Sequence, residues 1–306
     1  MFSKVTNHAS PVTRYLFNNL QMNRGIFLLM VAEFCFALAT VFAKFVTNES
    51  EIPAIEITFC RVSMGVIMAT AYMLKTKTSF RPKKVFLVIA RAVLSFSALV
   101  AFFYSVEHTS VTNANMLNMT YPVFIFLVAP LFRLEKIHKF SFIFLVIAMT
   151  GIYLVIFPDF SHVNKGDLVG LLSGVFAAFA IITLSVAREY DSTVLIVFYL
   201  MAIGTVCNVF MMIPSFVMPG IRDLPYLLAS GFIGVMGQVF LTMGYKHVNA
   251  KAGSMVSSSR IVFATSLGYF FLSDVISMRI IAGGVMIIVA IVGISTLQKL
   301  KAEDEQ

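Results

Sequence analysis

The sequence predicts an all-α integral membrane protein of ten transmembrane helices, arranged as two inverted five-helix repeats with both termini in the cytoplasm. Three observations carry that prediction. Ten apolar runs of bilayer length fill most of the chain. Basic residues concentrate in alternate connections between those runs. The fourth run matches the ninth without a gap at an offset of 139 residues.

Lipid as the solvent follows from composition. Of 306 residues, 59% are hydrophobic and 12% charged, and the mean hydropathy is +0.89. A soluble domain carries about 25% charged residues. The formal net charge of +8 sits in short clusters between apolar runs, which is a topology signal rather than a nucleic-acid face. The bilayer is thus an expected partner and nucleic acid is not. Cys35, Cys60 and Cys207 all lie inside apolar runs, with no spacing suited to a disulfide frame or a metal. They read as small buried hydrophobes, and no metal or cofactor is expected.

A helix needs roughly 20 apolar residues to cross the hydrocarbon core. The expected spans are 25–46, 55–75, 84–105, 112–132, 139–157, 167–187, 193–217, 224–245, 250–272 and 278–298. Breakers such as Pro53, Pro82, Pro158 and Pro219-Gly220 separate them. Continuous apolar runs argue for helices, since barrel strands alternate over about ten residues. Residues 1–24 lack the apolar core and cleavage site of a secretory signal and read as a cytoplasmic tail, as do 299–306. The N-tail, the even-numbered loops and the C-tail hold sixteen Lys and Arg residues, against four in the opposite set. By the positive-inside rule, both termini face the cytoplasm.

The offset of 139 residues places His108 on His247, Met116 on Met255, Val123-Phe124 on Val262-Phe263 and Glu135 on Asp274. It also places Asn115 and Asn118 on Ser254 and Ser257. The two units are expected at 25–157 and 166–298. Five spans in each make the second enter from the opposite side, a design that recurs in secondary transporters.

Several motifs carry a family likeness. Each half opens on a Gly-led span, Gly25-Ile26-Phe27-Leu28-Leu29 and Gly166-Asp167-Leu168-Val169-Gly170. Phe59-Cys60-Arg61 marks the second span. Ser110-Val111-Thr112-Asn113-Ala114-Asn115 runs through Tyr121-Pro122-Val123-Phe124 to Leu134-Glu135. Its counterpart runs from Asn249-Ala250-Lys251-Ala252-Gly253 through Ile261-Val262-Phe263 to Ser273-Asp274. The chain resembles the drug/metabolite transporter superfamily, in particular its ten-span EamA-type members, over roughly residues 25–298. It departs from them in having Ile261 opposite Pro122 and no tryptophan, with Phe36 near the place where the first span often carries one. The resemblance implies a transporter, in a cell inner membrane of bacterial type, for metabolites such as amino acids or nucleosides.

Polar residues inside the spans are the candidates for binding. A charge at mid-membrane costs at least about 2.5 kcal/mol on insertion scales, so such residues face a bundle interior or a wet cavity. Glu33, Arg61, Arg91 and Arg260 stand out. Arg260 reads as a fork for a carboxylate or phosphate, or as the ion-pair partner of Glu33. Arg91 reads as a second substrate cation or a structural charge. Arg61 reads more as a residue that snorkels or pairs with Glu56. Glu33 reads as a proton-coupling group, a ligand for an amine or an arginine partner. Asn115, Asn118 and Tyr121 share one helical face by three-residue spacing, matched by Ser254, Ser257 and Arg260. Two such stripes could line one cavity, with Gln238 as a further member, or could tie helices together.

The sequence contains no Walker motif and no nucleophile–base constellation, which argues against an ATPase engine or a membrane-embedded enzyme. The expected function is alternating-access transport of a small anionic or zwitterionic metabolite such as an amino acid. A proton-coupled exporter of cationic compounds is the alternative, with a channel further behind. A monomer or homodimer would suffice.

Overall fold

In a computed structural model, hydrogen-bonded helices account for almost all of the described residues, which are 11–50, 52–108, 111–128, 139–157, 164–273 and 276–304. Among the described residues twelve α-helices follow one another, with one 3₁₀ turn at Ile213–Ser215, and no strand occurs. They are α1 (Pro11–Glu49), α2 (Ala54–Lys75), α3 (Val85–His108), α4 (Val111–Asn118), α5 (Tyr121–Val128) and α6 (Lys139–Ile156). The remainder are α7 (Lys165–Tyr190), α8 (Thr193–Met212), α9 (Leu224–Gly244), α10 (Ala250–Ser257), α11 (Ser259–Leu272) and α12 (Met278–Asp304). Among the described residues, seven stretches are long and apolar enough to cross a membrane: α1 from Leu20, α2, α3, α7, α8, α9 and the pair α10–α11. Shorter apolar helices cover Ala114–Val128, Phe140–Ile156 and Met278–Ile294.

The boundaries have local causes. Helix α7 starts on a capping box, in which Asn164 Oδ1 accepts from Asp167 N–H and Asp167 Oδ2 accepts from Asn164 N–H. Ser192 and Asn249 cap α8 and α10 by accepting from the third residue onward. The Asp191 carboxylate accepts from Lys83 N–H at 2.8 Å and Lys84 N–H at 3.2 Å, which brings the starts of α3 and α8 level. Helix α1 runs back to Pro11 and α12 on to Asp304. The expected tails are therefore partly helical, because no breaker separates them from the spans.

Two spans are interrupted, at related places. Between α4 and α5, Thr120 N–H bonds back three residues to Leu117, and Val123 N–H to Thr120. Between α10 and α11, Ser258 N–H bonds back to Met255 and Ile261 N–H to Ser258. Both points tighten from α to 3₁₀ geometry. Pro122 explains the first, since it can neither donate to Asn118 nor admit its carbonyl. The second lacks a proline and lies within the run Ser257-Ser258-Ser259, whose hydroxyls can compete for local backbone groups.

Helix α1 packs on α9 and α7 on α3; α2 packs on α8 and α6 on α12. The α10–α11 pair rests on α1, and the α4–α5 pair on α7. Small residues set the closest approaches. On α6 and α12, Gly151 and Gly283 face each other so tightly that a methyl on Gly151 would stand 2.7 Å from the Gly283 carbonyl oxygen. Large apolar side chains, such as Phe86 at 81% and Phe270 at 76% exposure, point away from the bundle, as lipid contact requires.

Candidate functional site

The site is built where α1, α2, α3, α8, α9 and α11 meet. Glu33, wholly buried on α1, accepts a hydrogen bond at 2.5 Å from Nε of Arg260, the second residue of α11. The Arg260 guanidinium also lies 4.6 Å from the centre of the Phe36 ring. Glu33 Oε1 has no hydrogen-bond partner. The pair therefore fixes Arg260 at one edge, while 35% of the arginine side chain remains exposed.

That exposed part borders a cavity of about 530 Å³, lined also by Lys44, Thr58, Arg61 and Ser230. Its walls are the C-terminal half of α1, the start of α2 and the early part of α9, so it sits toward one end of the bundle. Thr58, Arg61 and Leu99 also line an inner chamber of about 120 Å³. Arg91, Ser95, Asn208 and Gln238 complete the polar part of that chamber. Among the described residues lining the two chambers, four are cationic (Lys44, Arg61, Arg91 and Arg260) and none is acidic.

Glycines on α9 make room for this. A methyl on Gly234 would stand 2.5 Å from Arg61 Cδ, and one on Gly237 would stand 3.0 Å from the Phe36 ring. The stem of Arg61 thus lies across bare backbone. Arg91 is 95% buried; one of its Nη groups donates to Ser95 Oγ, while its Nε has no partner. Among the described residues, neither Arg61 nor Arg91 forms an ion pair.

The two polar stripes are placed differently from Arg260. Asn118 Nδ2 donates to Ser173 Oγ on α7 at 3.0 Å, and Ser254 Oγ donates within its own helix to Lys251 O. Tyr121 Oη lies 3.4 Å from Ser254 O and within electrostatic reach of Glu33 and Arg260. Ser257 is buried beside Tyr121 and Tyr245. None of Asn115, Asn118, Tyr121, Ser254 or Ser257 lines the two chambers. In this conformation Asn118, Tyr121 and Ser254 are hydrogen-bonded between or within packed helices. Arg91, Gln238 and Arg260 do face the chambers. Arg61 is as central as Arg260, and Asn208 joins them without any periodic signal in the sequence.

At the other end of α9 a second vestibule of about 440 Å³ is bounded by Arg188, Tyr245, His247 and Asn249. Burial, followed by the positive charges of Lys246, Arg24 and Arg188, holds the His247 imidazole below its ordinary range. Tyr245, 3% exposed, borders this vestibule and lies within electrostatic reach of Arg91, Tyr121 and Glu33. It forms part of the wall between the two ends. Among the described residues no cluster of metal-ligating side chains occurs.

The chain is similar to several known transporters. The pseudopaline exporter CntI of Pseudomonas aeruginosa is 31% identical over 280 residues, covering 91% of this chain and 98% of its own. An uncharacterized transporter of Helicobacter pylori is 27% identical over 80% of this chain and 86% of its own. Human solute carrier family 35 member G1 is 25% identical over 88% of this chain and 78% of its own. A crystal structure of another protein shares the fold with a TM-score of 0.73, at 15% identity over 92% of this chain and 96% of that one. The EamA-like transporter family matches twice, at residues 23–157 and 164–296. The chain is therefore a multi-pass membrane protein, a transporter rather than an enzyme, and belongs to the EamA-like transporter family.

Proposed function

We propose that this protein carries a small organic anion or zwitterion across the cell membrane by alternating access. The observation that carries the reading is the lining of the two chambers, with four cations and no acidic residue. A cavity of about 530 Å³ suits a small metabolite, since ligand pockets span roughly 300–1,000 Å³. The same lining disfavours a cationic cargo. Export is the favoured direction, by analogy with the relative named as a pseudopaline exporter.

The working unit we propose is ten spans in two inverted halves, 25–157 and 166–298, with N- and C-termini in the cytoplasm. Exchange of α1 with α7, α2 with α8, α3 with α9, α4–α5 with α10–α11 and α6 with α12 maps the principal helix contacts onto themselves. The interruptions at Met119–Thr120 and Ser258 obey the same offset of 139 residues. Both facts support a pseudo-two-fold axis in the membrane plane, about which such carriers rock. In this orientation the Arg260 cavity faces outward and Tyr245 closes the inner side. The bundle needs no second copy, so a monomer is the minimal unit.

Protons are the coupling ion we favour. Glu33 is fully buried with one oxygen unpartnered, and its protonation would release Arg260 to the cargo. Proteoliposome counterflow with a panel of radiolabelled carboxylates and phosphates tests the proposal. Saturable exchange of an anionic or zwitterionic compound, lost in Arg61→Gln, is expected. Exchange restricted to cations, or undiminished in Arg61→Gln, refutes it.

A further inference from the structure

A group of buried hydroxyls stands between Glu33 and the vestibule that Tyr245 closes. Glu33 Oε1, Ser257 Oγ and Tyr245 Oη are all buried, and none has a hydrogen-bond partner among the described residues. Ser257 lies beside both Tyr245 and Tyr121, and Glu33 lies within electrostatic reach of both tyrosines. None of Glu33, Ser257 and Tyr245 lines the two cationic chambers. Buried polar atoms are nearly always partnered, by protein or by ordered water. Three orphans in one group, away from the chambers, therefore point to a polar path of their own.

Local structure sets these groups in a row. The Tyr245 ring lies on bare backbone of α10 at Gly253, where a methyl would stand 2.9 Å from the ring carbon that bears the hydroxyl. Ser257 follows Gly253 by four residues, which is one turn along the same side of the helix. Arg260 follows Ser257 by three, across the 3₁₀ turn at Ser258, and that geometry keeps positions three apart in line. From Gly253 to Arg260 the helix rises by about 10 Å, too far for one hydrogen bond. Tyr245 occupies the lower end of that rise and borders the vestibule. At the upper end Arg260 holds Glu33 by Oε2 and leaves Oε1 free. Ser257 stands between.

We infer that Tyr245 and Ser257 form a proton relay joining Glu33 Oε1 to the inner vestibule, with bridging water where two hydroxyls stand too far apart for direct contact. The inference rests on the proton-coupling reading above and supplies its route. A hydroxyl both donates and accepts. A proton arriving on one lone pair is matched by the hydroxyl's own proton leaving on the other side, so only O–H bonds form and break. Glu33 ends as the neutral acid, and the reverse passage returns it to the carboxylate. The groups that face Glu33 are Arg260 from α11, Tyr121 from α5 and Tyr245 from the end of α9. Arg61 in turn acts on Arg260, and Arg91 on Tyr245. A guanidinium stays protonated and has no acceptor, so Arg260 ends the relay at Glu33 and keeps it from leaking into the outer cavity. Loss of the proton to the inner solution lets ionised Glu33 reclaim Arg260. An anion held there is then displaced into the outer cavity, which is the exporting direction.

The test needs no cargo. Time-resolved infrared spectroscopy of the purified full-length protein follows the carbonyl band of protonated Glu33, assigned by its loss in Glu33→Gln, after a photoacid lowers the pH. Tyr245→Phe and Ser257→Ala are each expected to slow the appearance of that band by about tenfold or more, as removal of one hydrogen-bonded link from the transfer implies. The pH at which the band is half developed stays where it was, because a relay sets a rate and not an equilibrium. In a chain lacking its native cysteines, a bulky maleimide on His247→Cys in the inner vestibule slows the band as well, whereas one on Thr47→Cys in the outer cavity does not. An unchanged rate in either hydroxyl variant overturns the relay and leaves Glu33 as the coupling group. Slowing by the Thr47 label in place of the His247 label overturns it too. So does a slowing that only mirrors a shift of the midpoint, the mark of a purely structural role. A spectrum with no Glu33 band at any pH sinks the proton-coupling reading itself.

Discussion

Arg260→Ala removes the partner of a carboxylate that has no access to solvent, whereas Glu33→Gln frees an arginine that keeps 35% of its side chain exposed. The two substitutions cut the same 2.5 Å contact, yet their costs differ. Unit charges ~4 Å apart attract by about 4 kcal/mol at an effective dielectric near ~20. Removing one member of a buried pair leaves the other charge uncompensated, at about 3–5 kcal/mol. Arg260→Ala is therefore expected to lose about that much stability. In Glu33→Gln the guanidinium still lies over Phe36 and can lean into the 530 Å³ cavity, so the loss is about 1 kcal/mol, as for a half-exposed pair. The chain has no tryptophan, so unfolding is followed in detergent by far-UV circular dichroism. The double variant should be no worse than Arg260→Ala alone, because the stranded charge is gone. Equal losses from the two single substitutions, or strictly additive ones, would refute the reasoning.

Three further outcomes follow from the packing and the charges. Gly234→Ala pushes on the flexible Arg61 side chain and should weaken binding of the cargo while leaving unfolding nearly unchanged; Gly151→Ala pushes on the Gly283 backbone and should cost about 1–3 kcal/mol in the same unfolding assay. For topology, in a chain lacking its native cysteines, a membrane-impermeant maleimide should label Met218→Cys in intact cells and Lys77→Cys only after permeabilisation; the reverse inverts the proposed orientation. The folded pKa of His247 lies below its unfolded value, so its contribution to stability is present above the unfolded value and is lost as pH falls through the unfolded value toward the folded one. His247→Gln should accordingly flatten the decline of thermal stability between about pH 7 and pH 5, the window that brackets an unperturbed imidazole.

Much of the architecture was legible because lipid makes sequence blunt. Apolar runs and the cost of intramembrane charge singled out Glu33 and Arg260 and left their ion pair as one of two readings of the arginine; the two lie in contact. In the sequence, 112–132 and 250–272 read as unbroken spans; Pro122 accounts for the interruption in the first, and the one at Ser258 has no proline. Three-residue spacing put Asn115, Asn118 and Tyr121 on one face but could not say what that face meets; for Asn118 it is Ser173. Asn208 stood alone in the run Thr205-Val206-Cys207-Asn208 and carried no period. Its place on the inner chamber is something that only three dimensions reveal. Arg61 was undervalued because its partner was sought among carboxylates, while the structure seats it on the glycines of α9.

The glycine face of α9 has a mechanical consequence. Helices that interlock through ridges and grooves can shift only in steps, each requiring rotamers to unlatch. Where α9 meets α1 and α2, one partner has lost its ridges at Gly231, Gly234, Gly237 and Gly244. Such a smooth track lets a neighbour glide or roll with little activation, and with it the arginine and phenylalanine that ride there. The Gly151–Gly283 crossing is the opposite kind of joint, backbone against backbone without slack.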